Sequence, residues 1–72
     1  MTTEEKIAAI TAFIETVDQL ALEAAEAHNW REMLMHRNDV KNLIKRRDIL
    51  RMRLAAEQVA GLGLAMDAQT PH

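Results

Sequence analysis

Few residues in this chain have side chains that can perform catalysis or bind a metal. The 72 residues include no cysteine, no tyrosine and no serine, and the glycines Gly61 and Gly63 do not form a phosphate-binding loop. Apart from His72, the imidazoles are His28 and His36, and their eight-residue spacing across a predicted turn is not typical of metal ligands. We therefore expect no enzymatic activity, no cofactor and no metal site.

The charged residues are strongly segregated along the chain. Residues 1–29 contain six acids and one lysine, a net charge of −5, whereas residues 30–53 contain eight cations and three acids, a net charge of +5. The densest group of cations comprises Lys41, Lys45, Arg46, Arg47, Arg51 and Arg53. A basic stretch can bind an acidic protein surface or nucleic-acid phosphates, or it can pair with the acidic first part of the same chain. It contains no aromatic residue to stack on bases, so a protein partner is the first expectation and a nucleic acid the alternative.

The periodicity of the apolar residues predicts that helices carry these charges. No glycine or proline occurs between Met1 and Ala60, and Thr2 with Glu5 is a predicted capping box. A wide apolar stripe at heptad positions a, d and g of a first helix comprises Ile7, Ile10, Phe13, Ile14, Val17, Leu20, Ala21, Ala24 and Ala27. This stripe is wide enough to contact two neighbouring helices.

A second cap, at Asn29 with Glu32 three residues later, predicts a turn near His28 and a new helix after it. The alternative is one unbroken rod, but the first heptad register fails beyond this point. We therefore expect an all-α fold in which residues 1–66 form an antiparallel two-helix hairpin, with helix one at about 3–28 and helix two at about 30–61. Gly61 and Gly63 should end helix two in a left-handed cap with Leu62 folding back, and residues 67–72 should be a disordered tail.

Helix two is apolar on two sides. Its predicted seam comprises Met33, Val40, Leu43, Leu50 and Leu54, interrupted by the polar residues His36 and Arg47. The second side gives a predicted dimer interface of Ile49, Met52, Ala56 and Val59. Because one hairpin partner can cover only one side, we expect two copies to associate, as a homodimer and a four-helix bundle.

A charged helical surface without an active-site motif indicates a protein that acts by contact. The residues predicted to bind another protein are Leu22, Trp30, Lys45, Arg46, Arg51 and Arg53. The architecture resembles that of Rop-like RNA-binding dimers, small secretion chaperones, and phage or plasmid anti-activators. We therefore expect an adaptor, chaperone or inhibitor that binds a protein by helix packing, with a Rop-like nucleic-acid binder as the alternative. The longest uncharged apolar stretch, Val59 to Met66, is too short to cross a membrane, so we expect a cytoplasmic protein.

Overall fold

The protein folds into two helices that pack against each other. The computed structural model describes the backbone of residues 1–69 and the side chains of residues 1–62. Helix α1 spans Thr3–Glu26 and helix α2 spans Trp30–Gln69. The molecule measures 65 × 19 × 14 Å, so the two helices form a single layer. The predicted all-α helical hairpin is confirmed.

The start of α1 is stabilised by the predicted residues, with one change in the bonding pattern. The Glu5 backbone N–H donates to the Thr2 hydroxyl at 3.1 Å, and that hydroxyl donates to the Glu5 carboxylate at 3.0 Å. A capping box was expected to return the Glu5 carboxylate to the Thr2 backbone N–H instead. The Glu5 N–H, one of the orphan donors of the first turn, is satisfied in both arrangements.

The turn between the helices combines a C-terminal cap with an N-terminal cap. The Asn29 N–H donates to the Ala24 carbonyl at 2.8 Å and the His28 N–H donates to the Ala25 carbonyl at 3.0 Å, which is a Schellman motif. His28 occupies its left-handed position, with φ of 57°. The Asn29 side chain then caps α2 by accepting from the Glu32 N–H at 3.3 Å. The predicted turn near His28 and Asn29 is confirmed.

The core is one seam between the helices. Its most buried side chains are those of Ile14, Val17, Ala21, Ala24, Val40 and Leu50. Around the central cluster of Ile14, Val17 and Val40 pack Ile10, Leu43 and Ile44. At the open end of the hairpin, the Thr3 hydroxyl donates to the Glu57 carboxylate at 3.2 Å. Val17 and Ala24 of α1, and Leu43 and Leu50 of α2, lie seven residues apart, as the predicted registers require. Ile44 packs beside them although it lies outside the predicted seam.

Helix α2 does not end where the glycines predicted. It continues through Gly61 to Gln69, and no glycine in the described part of the chain has a positive φ. Leu62 is exposed instead of folded back. A helical glycine costs only about 1 kcal/mol relative to alanine, so the helix can continue through Gly61. A Cβ added at Gly61 meets nothing within 4 Å beyond the adjacent helix backbone, so the surroundings do not require glycine at this position. Of the predicted tail, residues 67–69 belong to α2 and residues 70–72 lie outside the described residues.

No helix in the described part of the chain is long and apolar enough to span a lipid bilayer.

Candidate interaction surfaces

The hairpin has two flanks, one on each side of the seam. We call the first the Phe13 flank, and it carries an open groove of about 240 Å³. Its lining residues are Phe13, Val17, Asp39, Asn42, Leu43 and Arg46. We call the second the Asp18 flank, where two shallow grooves of about 370 and 310 Å³ share Asp18 and Arg37. All three grooves are open, so these flanks are suited to contact with another macromolecule.

Helix α1 buries only part of its predicted apolar stripe. Its a and d positions form the seam, whereas the g positions Phe13 and Leu20 remain 55% and 42% exposed. On α2, Met35 and Ile49 are also exposed. They lie seven residues either side of Asn42, which lines the Phe13 groove, so the heptad repeat places them on the same flank. The Phe13 flank therefore presents apolar side chains from both helices.

The predicted dimer interface lies along the exposed side of α2, outside the seam with α1. We call it the outer stripe, and it comprises Ile49, Met52, Ala56 and Val59. All four residues are exposed, and Met52 is 72% exposed. An apolar stripe of this length on a helix that already buries another face is typical of a contact surface.

The predicted partner-binding residues are divided among several places. Leu22 lines one groove of the Asp18 flank and Lys45 lines the other. Arg46 lines the groove of the Phe13 flank, and Arg53 follows it by seven residues on the same side of α2. Arg51, exposed like the others, lies seven residues after Ile44 of the Asp18 flank. The six residues therefore do not form a single patch.

Trp30 stands at the turn end of the hairpin. Its ring packs edge to face against His28, with ring centroids 5.6 Å apart, and the side chain is still 55% exposed. Such a tryptophan can contribute much of the energy of a protein contact.

The charges of the two helices do not neutralise each other inside the hairpin. Both ion pairs among residues 1–62 lie within α2, where Asp48 contacts Arg47 at 3.9 Å and Arg51 at 4.0 Å. The possibility that the basic stretch pairs with acids of α1 is therefore not realised by any salt bridge in this range. Exposed charges without a partner are available to bind another molecule.

Arg47 interrupts the seam as predicted. Its side chain is 20% exposed, and its Nε atom is buried without a hydrogen-bond partner. The neighbouring Asp48 carboxylate is 3.9 Å away, so the pair is an ion pair without a hydrogen bond. Within residues 1–62, no carboxylate of α1 forms an ion pair with this side chain.

Sequence reasoning did not place Met35, Asp39 or Asn42 among the partner-binding or dimer-interface residues, and the structure places them on the Phe13 flank. The seven-residue spacing could have found them, because Met35 and Asn42 share one heptad position of α2, and Asp39 and Arg46 share another. Among the residues with described side chains, no group of three or more His, Cys, Asp or Glu could hold a metal ion.

Comparisons of the chain with protein-family models, with curated proteins and with solved structures found no match.

Proposed function

We propose that the protein is a small helical interaction module that acts as a homodimer and binds another protein by helix packing. In this role it would serve as an adaptor, a chaperone or an inhibitor, for example an anti-activator. The observation that carries the proposal is the exposed outer stripe of α2. A single-layer hairpin has no second surface of its own with which to cover that stripe.

The charge distribution supports a partner with an acidic surface. The exposed cations Lys45, Arg46, Arg51 and Arg53 make no ion pair with α1 within residues 1–62. Leu22 and Trp30 add exposed apolar area at the Asp18 flank and at the turn end. Tryptophan and arginine are enriched in protein interfaces, and cations that complement an acidic partner accelerate and orient association.

Sedimentation of the full chain tests the homodimer. We expect a particle of about 16 kDa, twice the 8.2 kDa of the chain, at micromolar concentration. A well-folded particle of 8.2 kDa at every practical concentration would contradict it.

Affinity capture from the native host tests the second partner. The bait is the full chain at moderate salt, and its matched control is the double variant Leu22→Glu/Arg51→Glu, which changes two of the exposed residues predicted to bind the partner. We expect at least one protein to be retained by the bait and lost with the control. Circular dichroism checks that the control remains helical. Recovery of RNA or DNA without any protein would overturn the proposal.

A nucleic acid is the second candidate partner, because the cations of residues 41–53 other than Arg47 are exposed. On this interpretation affinity falls steeply with salt, and Arg46→Ala/Arg51→Ala flattens the slope by about two phosphate contacts. The absence of any retarded nucleic acid at low salt would exclude it. This measurement needs no knowledge of the host.

A further inference from the structure

We propose that the Phe13 flank is the homodimer interface, and that a second copy lies on it antiparallel, with the two-fold axis passing at Asn42. The proposal rests on the homodimer proposed above and assigns its surface. The sequence predicted the interface on the outer stripe instead, and of that stripe Ile49 and Ala56 share the heptad position of Asn42 whereas Met52 and Val59 do not. The rest of that stripe and the Asp18 flank stay available to a different protein.

The charges along the Phe13 flank of α2 are self-complementary. Asp39 and Arg46 line the groove, and Glu32 and Arg53 lie seven residues before and after them, at the same heptad position. The order along α2 is therefore acid, acid, base, base. When two such rows lie antiparallel, Asp39 faces Arg46 of the second copy and Glu32 faces Arg53 of the second copy. These two ionic contacts and their two symmetry mates then all join opposite charges.

The apolar side chains follow the same symmetry. Met35 and Ile49 lie seven residues before and after Asn42, so each meets the other across the axis. On α1, Phe13 faces Leu20 of the second copy, and Leu20 faces Phe13. Asn42 itself meets Asn42 of the second copy, and an amide pair at such a position fixes the register of associating helices.

The midpoint of the apolar pair on α1 and the midpoint of the charged row on α2 lie at the same level of the hairpin. The pair Phe13 and Leu20 is centred beside Val17, and the charged row of α2 is centred between Asn42 and Leu43. Val17, Asn42 and Leu43 line one groove, so the two centres lie at the same level of the molecule. A single two-fold axis perpendicular to the helices therefore pairs Phe13 with Leu20 on α1 and acids with bases on α2.

The other isologous arrangement is less favourable. A two-fold axis parallel to the helices would place α1 of one copy over α2 of the other. Phe13 and Leu20 would then cover Arg46 and Asp39, and the charged side chains would be removed from water against apolar partners. The perpendicular axis avoids this cost because like elements face each other.

The charge row allows a test in which two defective variants repair each other. In a dimer of the Asp39→Arg variant, the new arginine faces Arg46 of the second copy. In a dimer of the Arg46→Asp variant, the new aspartate faces Asp39 of the second copy. Each variant alone should dimerise about tenfold or more weakly than the original chain. A 1:1 mixture should restore association near the original strength, because both cross-contacts in the heterodimer then join arginine to aspartate. Sedimentation velocity with one variant fluorescently labelled measures all three states.

Matched controls carry the same charge changes on other surfaces. Glu15→Arg lies on the exposed face of α1, and Lys41→Asp lines a groove of the Asp18 flank. Neither should change the dimer dissociation constant by more than about twofold, and mixing them should have no effect. Because Asp39 and Arg46 are exposed and seven residues apart, their variants should keep the helical circular dichroism of the original chain.

The outcomes separate this assignment from the homodimer itself. A dimer that survives Asp39→Arg, Arg46→Asp and their mixture unchanged would overturn the assignment of the Phe13 flank and leave the homodimer standing. Two weakened variants that fail to recover on mixing would overturn the antiparallel axis. A chain that is monomeric before any substitution would overturn both.

Discussion

The two flanks of the hairpin are built from the same two helices but present opposite kinds of charge pattern. On the Phe13 flank, an antiparallel second copy brings Asp39 to Arg46. On the Asp18 flank, the equivalent arrangement about Ile44 brings Arg37 to Arg51, because each lies seven residues from it. We therefore infer that an antiparallel copy is attracted to the first flank and repelled by the second. On this inference, one helix pair would keep self-association and the binding of an acidic partner on separate surfaces.

The largest effect is expected from placing charge on the apolar part of the Phe13 flank. Phe13→Glu/Leu20→Glu should weaken dimerisation at least 100-fold, because four carboxylates per dimer would face each other in a desolvated contact. Leu22→Glu, an equally exposed position on the Asp18 flank, is the control and should leave the dimer intact. Sedimentation equilibrium measures both. Equal losses from the two flanks would contradict the comparison.

Asn42→Leu sharpens the same comparison. Replacing the amide on the proposed axis with an apolar side chain should strengthen association about tenfold while allowing other registers or larger oligomers. Native mass spectrometry should show a mixed population. The control is Asn38→Leu, also exposed but outside the groove of the Phe13 flank. A single dimeric species of unchanged strength would show that Asn42 does not lie at the axis.

Arg47→Met tests the seam that both flanks share. The buried Nε atom lacks a hydrogen-bond partner, so an apolar side chain of similar length should raise the free energy of unfolding by about 1–2 kcal/mol. Urea denaturation at a fixed protein concentration measures it. Lys45→Met, an exposed position on α2, should change stability by less than about 0.5 kcal/mol. A loss of stability in Arg47→Met would show that the guanidinium has a stabilising contact.

The smallest effect is expected at the turn that joins the flanks. His28 has a φ of 57°, which glycine adopts without steric cost, so His28→Gly should stabilise the hairpin by about 0.5–1 kcal/mol. His28→Ala keeps the unfavourable φ and loses the contact with Trp30, and should destabilise it slightly. Thermal unfolding distinguishes the two. Destabilisation of both variants by the same amount would show that the positive φ of His28 costs the hairpin no stability.

Local features of the hairpin could be predicted because short-range contacts decide them. Asn29 caps α2 with Glu32, and the seam positions from Ile14 to Leu50 are buried as their seven-residue spacing requires. A cap involves groups within four residues, and heptad burial follows from the helix repeat alone. The end of α2 was not predicted, because Gly61 permits a left-handed turn without requiring one.

The amino-acid sequence by itself determined that this chain forms two capped helices with a turn at His28 and a seam of regularly spaced apolar residues. The tertiary structure decided which side chains share a flank, and hence that Phe13 stands beside Asn42 and Arg46 instead of the cations of the Asp18 flank. The reason is physical: local hydrogen bonds and periodicity belong to each helix separately, whereas the register and facing of two helices depend on how their side chains pack together.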